Sequence, residues 1–67
     1  MREWLKSARD NKGLTMEQLS KKLDITESYY SLIERGERQK RMDIMLVMKL
    51  SEALAIPVQD IIANESE

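Results

Sequence analysis

The sequence predicts an all-α protein, a compact bundle of five short helices that forms one domain over residues 1–63 and ends in a short acidic tail, residues 64–67. Three observations predict this class. The core must be built from Leu, Ile, Val, Met and Ala, because the 67 residues include no Phe and only three aromatic residues. Apolar residues recur at helical spacing, and capping residues, glycines and a proline separate the helical segments.

The first predicted helix covers residues 2–11. Apolar side chains share one face of it, at Met1, Trp4, Leu5 and Ala8, and Gly13 follows its end, where a helix often needs left-handed geometry. We expect this face to join the core, with Trp4 as its anchor.

The second predicted helix covers residues 16–23. Thr15 is a good N-cap, and Gln18 stands where it completes a capping box. Leu14 and Leu19 occupy the two positions of a hydrophobic staple. We expect the inward side chains to be Met16, Leu19 and Leu23.

A turn of three residues, Asp24 to Thr26, leads to a third helix that begins at Glu27 and stops at Gly36. Thr26 can cap this helix, and Asp tolerates the left-handed geometry that such a turn requires. One face carries Thr26, Tyr29, Tyr30 and Ile33. We expect the two tyrosines of this face to belong to the core, although the Tyr29 hydroxyl could reach a phosphate. The opposite face carries Glu27, Ser28, Ser31, Leu32 and Arg35.

The fourth helix is predicted over residues 44–54 and the fifth over residues 58–63. Asp43 can cap the fourth helix, and Pro57 ends the connection to the fifth. The predicted inward stripe is Ile44, Val47, Leu50, Ser51 and Leu54. Met45 and Met48 lie off that stripe, so they either fill the core loosely or form a homodimer surface together with Ile62.

Several functions have no support in the composition. Without Cys or His there is no disulfide, no zinc site of the usual nitrogen or sulfur ligands, and no imidazole for catalysis near neutral pH. No nucleophile lies beside an evident base, and a glycine-rich phosphate loop is absent, so we predict neither an enzyme nor a cofactor. No apolar run approaches the roughly 18 to 20 residues of a membrane span, and the first residues lack a signal peptide's apolar core, which predicts a soluble, cytoplasmic protein.

The charges are unevenly distributed along the chain. The formal net charge is only −1, but the segment RGERQKR, residues 35–41, carries four cations and one anion. The last ten residues carry three carboxylates and no cation. The basic segment follows the third helix directly, so it is the candidate for contact with a polyanion.

A capped helix, a three-residue turn and a second short helix form the helix-turn-helix arrangement. The segment TMEQLSKKLDITESYYSLIERGER resembles the Cro/C1-type (XRE-like, lambda-repressor-like) family of helix-turn-helix regulators, whose members read approximately T-Q-x-x-L-A-x-x-L-G-V-S-x-x-x-I-S-x-I-E-x-G-x-R. The segment LVMKLSEALAIPVQDII is similar to the family's fourth and fifth helices, so the resemblance covers nearly the whole chain.

The resemblance implies a set of DNA-binding residues. The family's groove-facing positions fall on Glu27, Ser28, Ser31 and Leu32, on a recognition helix of about residues 27–35. Its phosphate-contacting positions fall on Thr15, Gln18, Arg35, Arg38, Lys40 and Arg41. Glu34 matches a structural glutamate of the family.

This sequence departs from the family pattern at four places. Met16 stands where the family commonly has Gln, which removes a hydrogen bond on the phosphate side. Ser20 replaces a small Ala between the two helices, and its hydroxyl needs a partner. Asp24 replaces Gly in the turn, and the loop from Gly36 to Asp43 is about two residues longer than usual and lacks a proline.

We therefore expect a small regulator of transcription, a repressor, that binds double-stranded DNA as a homodimer at an inverted repeat. For the polar face of the third helix and for the basic loop, the alternative is a solvated surface, and Glu27 can simply favour its helix dipole. The rival function is a protein-interaction module of the same fold, an antitoxin or antirepressor, with a regulatory protein as its partner.

Overall fold

The computed structural model describes residues 1–66. Its five helices, in chain order, are α1 (Glu3–Asn11), α2 (Met16–Lys22), α3 (Glu27–Glu34), α4 (Ile44–Leu54) and α5 (Val58–Glu65). No strand occurs within residues 1–66, so the predicted all-α, five-helix class is confirmed. In the same part of the chain, no helix combines the length and the apolar character needed to cross a lipid bilayer.

The start of each central helix is fixed by the cap that the sequence predicts. Thr15 Oγ1 accepts from the Gln18 main-chain N–H at 3.1 Å, and Gln18 Oε1 accepts from the Thr15 N–H at 2.8 Å, which completes the capping box. Thr26 Oγ1 accepts from the N–H of Tyr29 at 3.1 Å at the start of α3. Asp43 caps α4 in the same way, through the N–H of Leu46.

The turn between α2 and α3 has the geometry that a helix-turn-helix needs. Asp24 takes a left-handed conformation, with φ of 60°, as expected for the residue that stands where the family has Gly. The buried Ser20 hydroxyl donates to the main-chain oxygen of Glu17 at 2.8 Å, so this polar group is satisfied within α2. The two helices can therefore pack closely despite both departures from the family pattern.

The core lies between the helices and takes apolar side chains from all five of them. The buried apolar residues are Leu5, Leu19, Leu23, Tyr30, Ile33, Leu46, Val47, Leu50, Leu54 and Ile61. Trp4 and Met16, which we expected inside, are only partly buried and pack against the edge of this core. Met1 is 66% exposed, so the expectation that it joins the inward face of α1 was wrong.

The inward face of α4 differs from the predicted one. Ile44 is exposed, whereas Leu46 is buried. The helix opens with five consecutive apolar residues, so helical periodicity alone does not choose among the possible stripes. Met45 and Met48 are 61% and 54% exposed, which excludes the interpretation that they fill the core.

The last helix is longer than predicted. It continues to Glu65, so Asn64 and Glu65 of the expected tail are helical. Glu67, also assigned to that tail, lies outside the described residues. At their C-terminal ends, α2 and α3 stop one and two residues before the predicted positions, at Lys22 and Glu34.

Candidate nucleic-acid interface

The predicted groove-facing residues lie together on the structure. Glu27, Ser28, Ser31, Leu32 and Arg35 line one shallow depression on the outer face of α3. Helical spacing places them on one side of α3, and Tyr30 and Ile33 on the opposite side are fully buried. Met16, from the start of α2, completes the lining of the depression, so this residue borders the candidate reading surface and does not lie in the core.

The start of α2 presents two more predicted residues, Thr15 and Gln18, both exposed. The capping box occupies Thr15 Oγ1 and Gln18 Oε1. Within residues 1–66, the side-chain nitrogen of Gln18 makes no hydrogen bond, so it is available to donate to a phosphate oxygen. The cap therefore orients the Gln18 amide without consuming its donor.

The four cations of the basic segment are exposed. Arg35 Nε lies 3.2 Å from Glu37 Oε2, in an ion pair between two side chains that are each more than half exposed. Arg38 donates only to the neighbouring main-chain oxygen of Glu37. Lys40 and Arg41 lie further along the same loop, so the loop carries a cluster of solvated positive charge beside the end of α3.

Gln39 fixes the middle of this loop. Its main chain is left-handed, with φ of 55°. Its Nε2 donates to Tyr29 Oη at 2.8 Å, and its Oε1 accepts from the main-chain N–H of Asp43 at 3.0 Å. Tyr29 is therefore a support for the loop, and sequence reasoning missed the role of Gln39.

A buried polar network orients α3 from behind. Glu34 is fully buried and forms an ion pair with Arg9 of α1, while Tyr30 Oη donates to Glu34 Oε2 at 2.6 Å. Arg9 Nη1 also donates to the main-chain oxygen of Leu14, just before α2. The structural part that the resemblance implied for Glu34 thus has a physical basis, but its partner Arg9 was missed.

The network also changes the acidity of its members. Burial raises the pKa of Tyr30 far above its ordinary value, and the hydrogen bond to Glu34 adds to the increase. The hydrogen bond from Arg9 to the Glu34 carboxylate raises the pKa of the guanidinium. Arg9 therefore keeps its charge and Tyr30 its proton at physiological pH, and the Arg9–Glu34 ion pair holds α1 against α3.

The apolar residues predicted as a dimer surface line two different depressions. Met45 and Met48 line a groove with Ala53, and the groove has Lys22, Lys49 and Glu52 at its rim. Ile62 lines a different depression, which it shares with Met42, Val47 and the loop cations Lys40 and Arg41. The three residues proposed together as a dimer surface are thus all exposed, but Ile62 is not in the groove of the two methionines.

The capped pair α2 and α3, with its left-handed turn and its outward polar face, defines the class of helix-turn-helix domains. The comparisons with known proteins agree. Residues 5–61 match the family described as helix-turn-helix. The chain therefore belongs to the Cro/C1-type helix-turn-helix family, as the sequence motif predicted.

The chain is also similar to an individual protein of this kind. The chain is 39% identical over 54 residues to the uncharacterized HTH-type transcriptional regulator YqaF of Bacillus subtilis (strain 168), an alignment that covers 81% of this chain and 68% of the relative. Family and relative together support a DNA-binding regulator, a class whose members act by binding rather than by catalysis.

Proposed function

We propose that this protein represses transcription by binding double-stranded DNA, with α3 in the major groove. The observation that carries the proposal is the single depression formed by the outer face of α3, next to an exposed cationic loop. In a helix-turn-helix the first helix braces against the phosphates and the second reads base edges. Thr15 and Gln18 have the exposure that the first role requires.

The side chains in the depression set the expected sequence preference. Ser28 and Ser31 can donate to or accept from bases, and the Leu32 side chain suits the methyl group of thymine. The Glu27 carboxylate can accept only from a donor such as cytosine N4. Specificity is therefore modest, with each good contact contributing about 1 to 3 kcal/mol of discrimination.

Arg35 has the strongest potential contact, a bidentate pair with guanine. Its guanidinium is paired with Glu37, and this exposed pair is weak because water competes with it. The approach of DNA would replace Glu37 by a base edge or a phosphate at little cost. The pair with Glu37 therefore does not prevent Arg35 from contacting DNA.

One domain of this size contacts a short half-site, so we propose a homodimer that binds an inverted repeat, with recognition helices about 34 Å apart. The exposed Met45, Met48 and Ile62 are the candidate contacts between copies. Repression follows if the operator overlaps a promoter, because the bound dimer then excludes the polymerase.

The first experiment is selection from a random double-stranded library at about 0.1 M salt, where exposed charges are neither exaggerated nor fully screened. We expect an enriched inverted repeat with half-sites one helical turn apart. No enrichment from a folded preparation would contradict the proposal.

A charge variant tests the basic loop. Replacing Arg38, Lys40 and Arg41 by Ala should weaken binding to every sequence and flatten the salt dependence by about 2 to 3 in log–log slope. The matched control replaces Lys6, Lys12 and Lys21, which are exposed on α1, after it and in the last turn of α2, and removes the same net charge. Equal losses in the two triple variants would mean that only net charge matters.

A second candidate function is binding of another protein, and the groove of Met45 and Met48 favours it, since large apolar side chains this exposed often mark an interaction surface. In that case the loop variant would still bind the partner, whereas Met48→Glu would not.

A further inference from the structure

Arg2 lies in an unusual place for an arginine, because it is only 8% exposed. Its Nη1 donates to the main-chain oxygens of Ile33, at 2.6 Å, and Arg38, at 3.1 Å. Its Nη2 donates to the main-chain oxygen of Gln39 and to Glu65 Oε1, and its Nε donates to Glu65 Oε2 at 2.9 Å. These contacts use all five N–H groups of the guanidinium.

Glu65 provides the opposite charge that a buried cation requires. Its Oε2 also accepts from Trp4 Nε1 at 2.8 Å, so the carboxylate is held by two residues of the N-terminal segment. Because its donors are occupied and its charge is paired, Arg2 is not available to contact a phosphate.

Two of the oxygens that Arg2 binds belong to the cationic loop, at Arg38 and Gln39. The side chains of Arg38, Lys40 and Arg41 meanwhile point into solvent. The main chain of this loop is thus held from inside by Arg2, while its charges are presented outside.

Arg2 also completes the end of α3. The last turn of this helix contains no basic residue of its own. The Arg2 main-chain N–H donates to the oxygen of Glu34 at 2.8 Å, and the guanidinium donates to that of Ile33. A cation at this end opposes the negative pole of the helix dipole. The end of the recognition helix and the start of the loop therefore share one anchor.

We propose that Arg2 is a positioning residue for DNA binding, which acts by holding the loop of residues 36–43 in the conformation that presents its cations to the phosphates. The inference rests on the function proposed above. Without Arg2 the loop loses conformational entropy each time DNA binds, because it must then adopt its ordered conformation. That entropy loss weakens binding. The same phosphates are still contacted in the complex, so affinity falls while the salt dependence does not change.

The test measures DNA binding by fluorescence anisotropy, between about 0.05 and 0.2 M salt. It uses the selected inverted repeat and an unrelated duplex. The main variant is the double substitution Arg2→Met with Glu65→Gln. It removes the hydrogen bonds of the Arg2 guanidinium and its ion pair with Glu65, and it leaves the net charge unchanged. We expect about tenfold weaker binding to both duplexes, with an unchanged salt slope. Amide hydrogen exchange over residues 37–42 should become faster.

Two further variants separate positioning from general loss of stability. Arg2→Lys keeps the positive charge opposite Glu65 but has three donors at one atom, so we expect a smaller loss of affinity than in the double variant. Ile61→Val removes one buried methyl group and leaves every Arg2 hydrogen bond in place, so we expect it to lower stability without changing DNA affinity.

Three results would overturn the inference. Unchanged affinity in the double variant would do so, and so would unchanged exchange over residues 37–42. A fall of the salt slope by about 0.9 would make Arg2 itself a phosphate contact. If the unsubstituted chain binds no DNA, the proposed function fails together with this inference, and that outcome is recognisable without any variant.

Discussion

Arg9 Nε lies 3.0 Å from Glu34 Oε2, and the two side chains are 10% and 1% exposed. A second contact, from Arg9 Nη2 to Glu34 Oε1 at 3.3 Å, makes the pair bidentate. The pair joins α1 to α3, and Arg9 reaches on to Leu14. The orientation of the candidate recognition helix therefore depends on a buried residue that is not among the candidate DNA contacts.

Removing one partner of this pair should be costly. Arg9→Met leaves the Glu34 carboxylate buried without its positive partner, so we expect the free energy of unfolding to fall by roughly 3 to 5 kcal/mol. Urea titration followed by circular dichroism measures the loss. In the double variant with Glu34→Gln neither position carries a buried charge and the Tyr30 hydroxyl keeps an acceptor, so the loss should be smaller. A double variant that is less stable than Arg9→Met would contradict this account.

The buried phenol of Tyr30 predicts a pH dependence of stability. Its pKa is raised in the folded state, mainly by burial, and is about 10 in the unfolded chain. Below pH 10 the phenol keeps its proton in both the folded and the unfolded chain, so the contribution of Tyr30 to the free energy of unfolding is fully present. Above that pH the unfolded chain loses the proton and the folded one does not, so the free energy of unfolding should fall.

Urea titrations at a series of alkaline pH values test this expectation. Tyr30→Phe should remove much of the alkaline decrease, whereas Tyr29→Phe should keep it. An identical decrease in the Tyr30→Phe variant would assign the effect to other groups.

Ala55 ends α4 in a left-handed conformation, with φ of 56°, which residues with a Cβ tolerate less well than glycine does. Ala55→Gly should therefore raise the free energy of unfolding by about 0.5 to 1 kcal/mol. The matched control is Ala63→Gly, an exposed position inside α5, where the same change should lower it by about 1 kcal/mol. Thermal unfolding of both variants checks the sign, and a loss of stability in Ala55→Gly would refute the prediction.

Met16 borders the depression on α3 at the position where the family commonly has Gln. Met16→Gln should therefore add a hydrogen bond to a phosphate, and a net contribution of about 0.5 to 1.5 kcal/mol tightens binding by about two- to twelvefold. Measured by fluorescence anisotropy, the gain should be equal for specific and unrelated duplexes, because a phosphate contact carries no sequence information. A gain confined to one sequence would instead indicate that the introduced amide reads a base.

Local features of this chain were predictable because the residues that determine them are neighbours. Thr15, Thr26 and Asp43 each cap a helix through a main-chain group three positions on, so the starts of α2, α3 and α4 could be placed from the sequence. The polar face of α3 was predictable for the same reason, since helical spacing alone separates Ser28 and Ser31 from Tyr30 and Ile33.

The buried arginines were not predictable in this way. Arg2, just before α1, and Arg9, within it, lie at helical spacing beside the buried Leu5, and each charge is tolerated there because a carboxylate distant in the chain, Glu65 or Glu34, meets it. No local pattern reveals such a partner. The prediction of the inward face of α4 was wrong for a different reason. Ile44 and Leu46 are both strongly apolar, so only the packing of the folded protein decides which of them is buried.

The hydrogen bond between Arg2 and Glu65 joins positions 63 apart, nearly the two ends of the described chain. Closing so long a loop costs more entropy than forming the adjacent α2 and α3, so this contact should form after the folding transition state. Loss of the contact then leaves the rate of refolding almost unchanged and accelerates unfolding. Arg2, which we propose to order the cationic loop, should thus determine how long the domain survives once folded, with little influence on how quickly it forms.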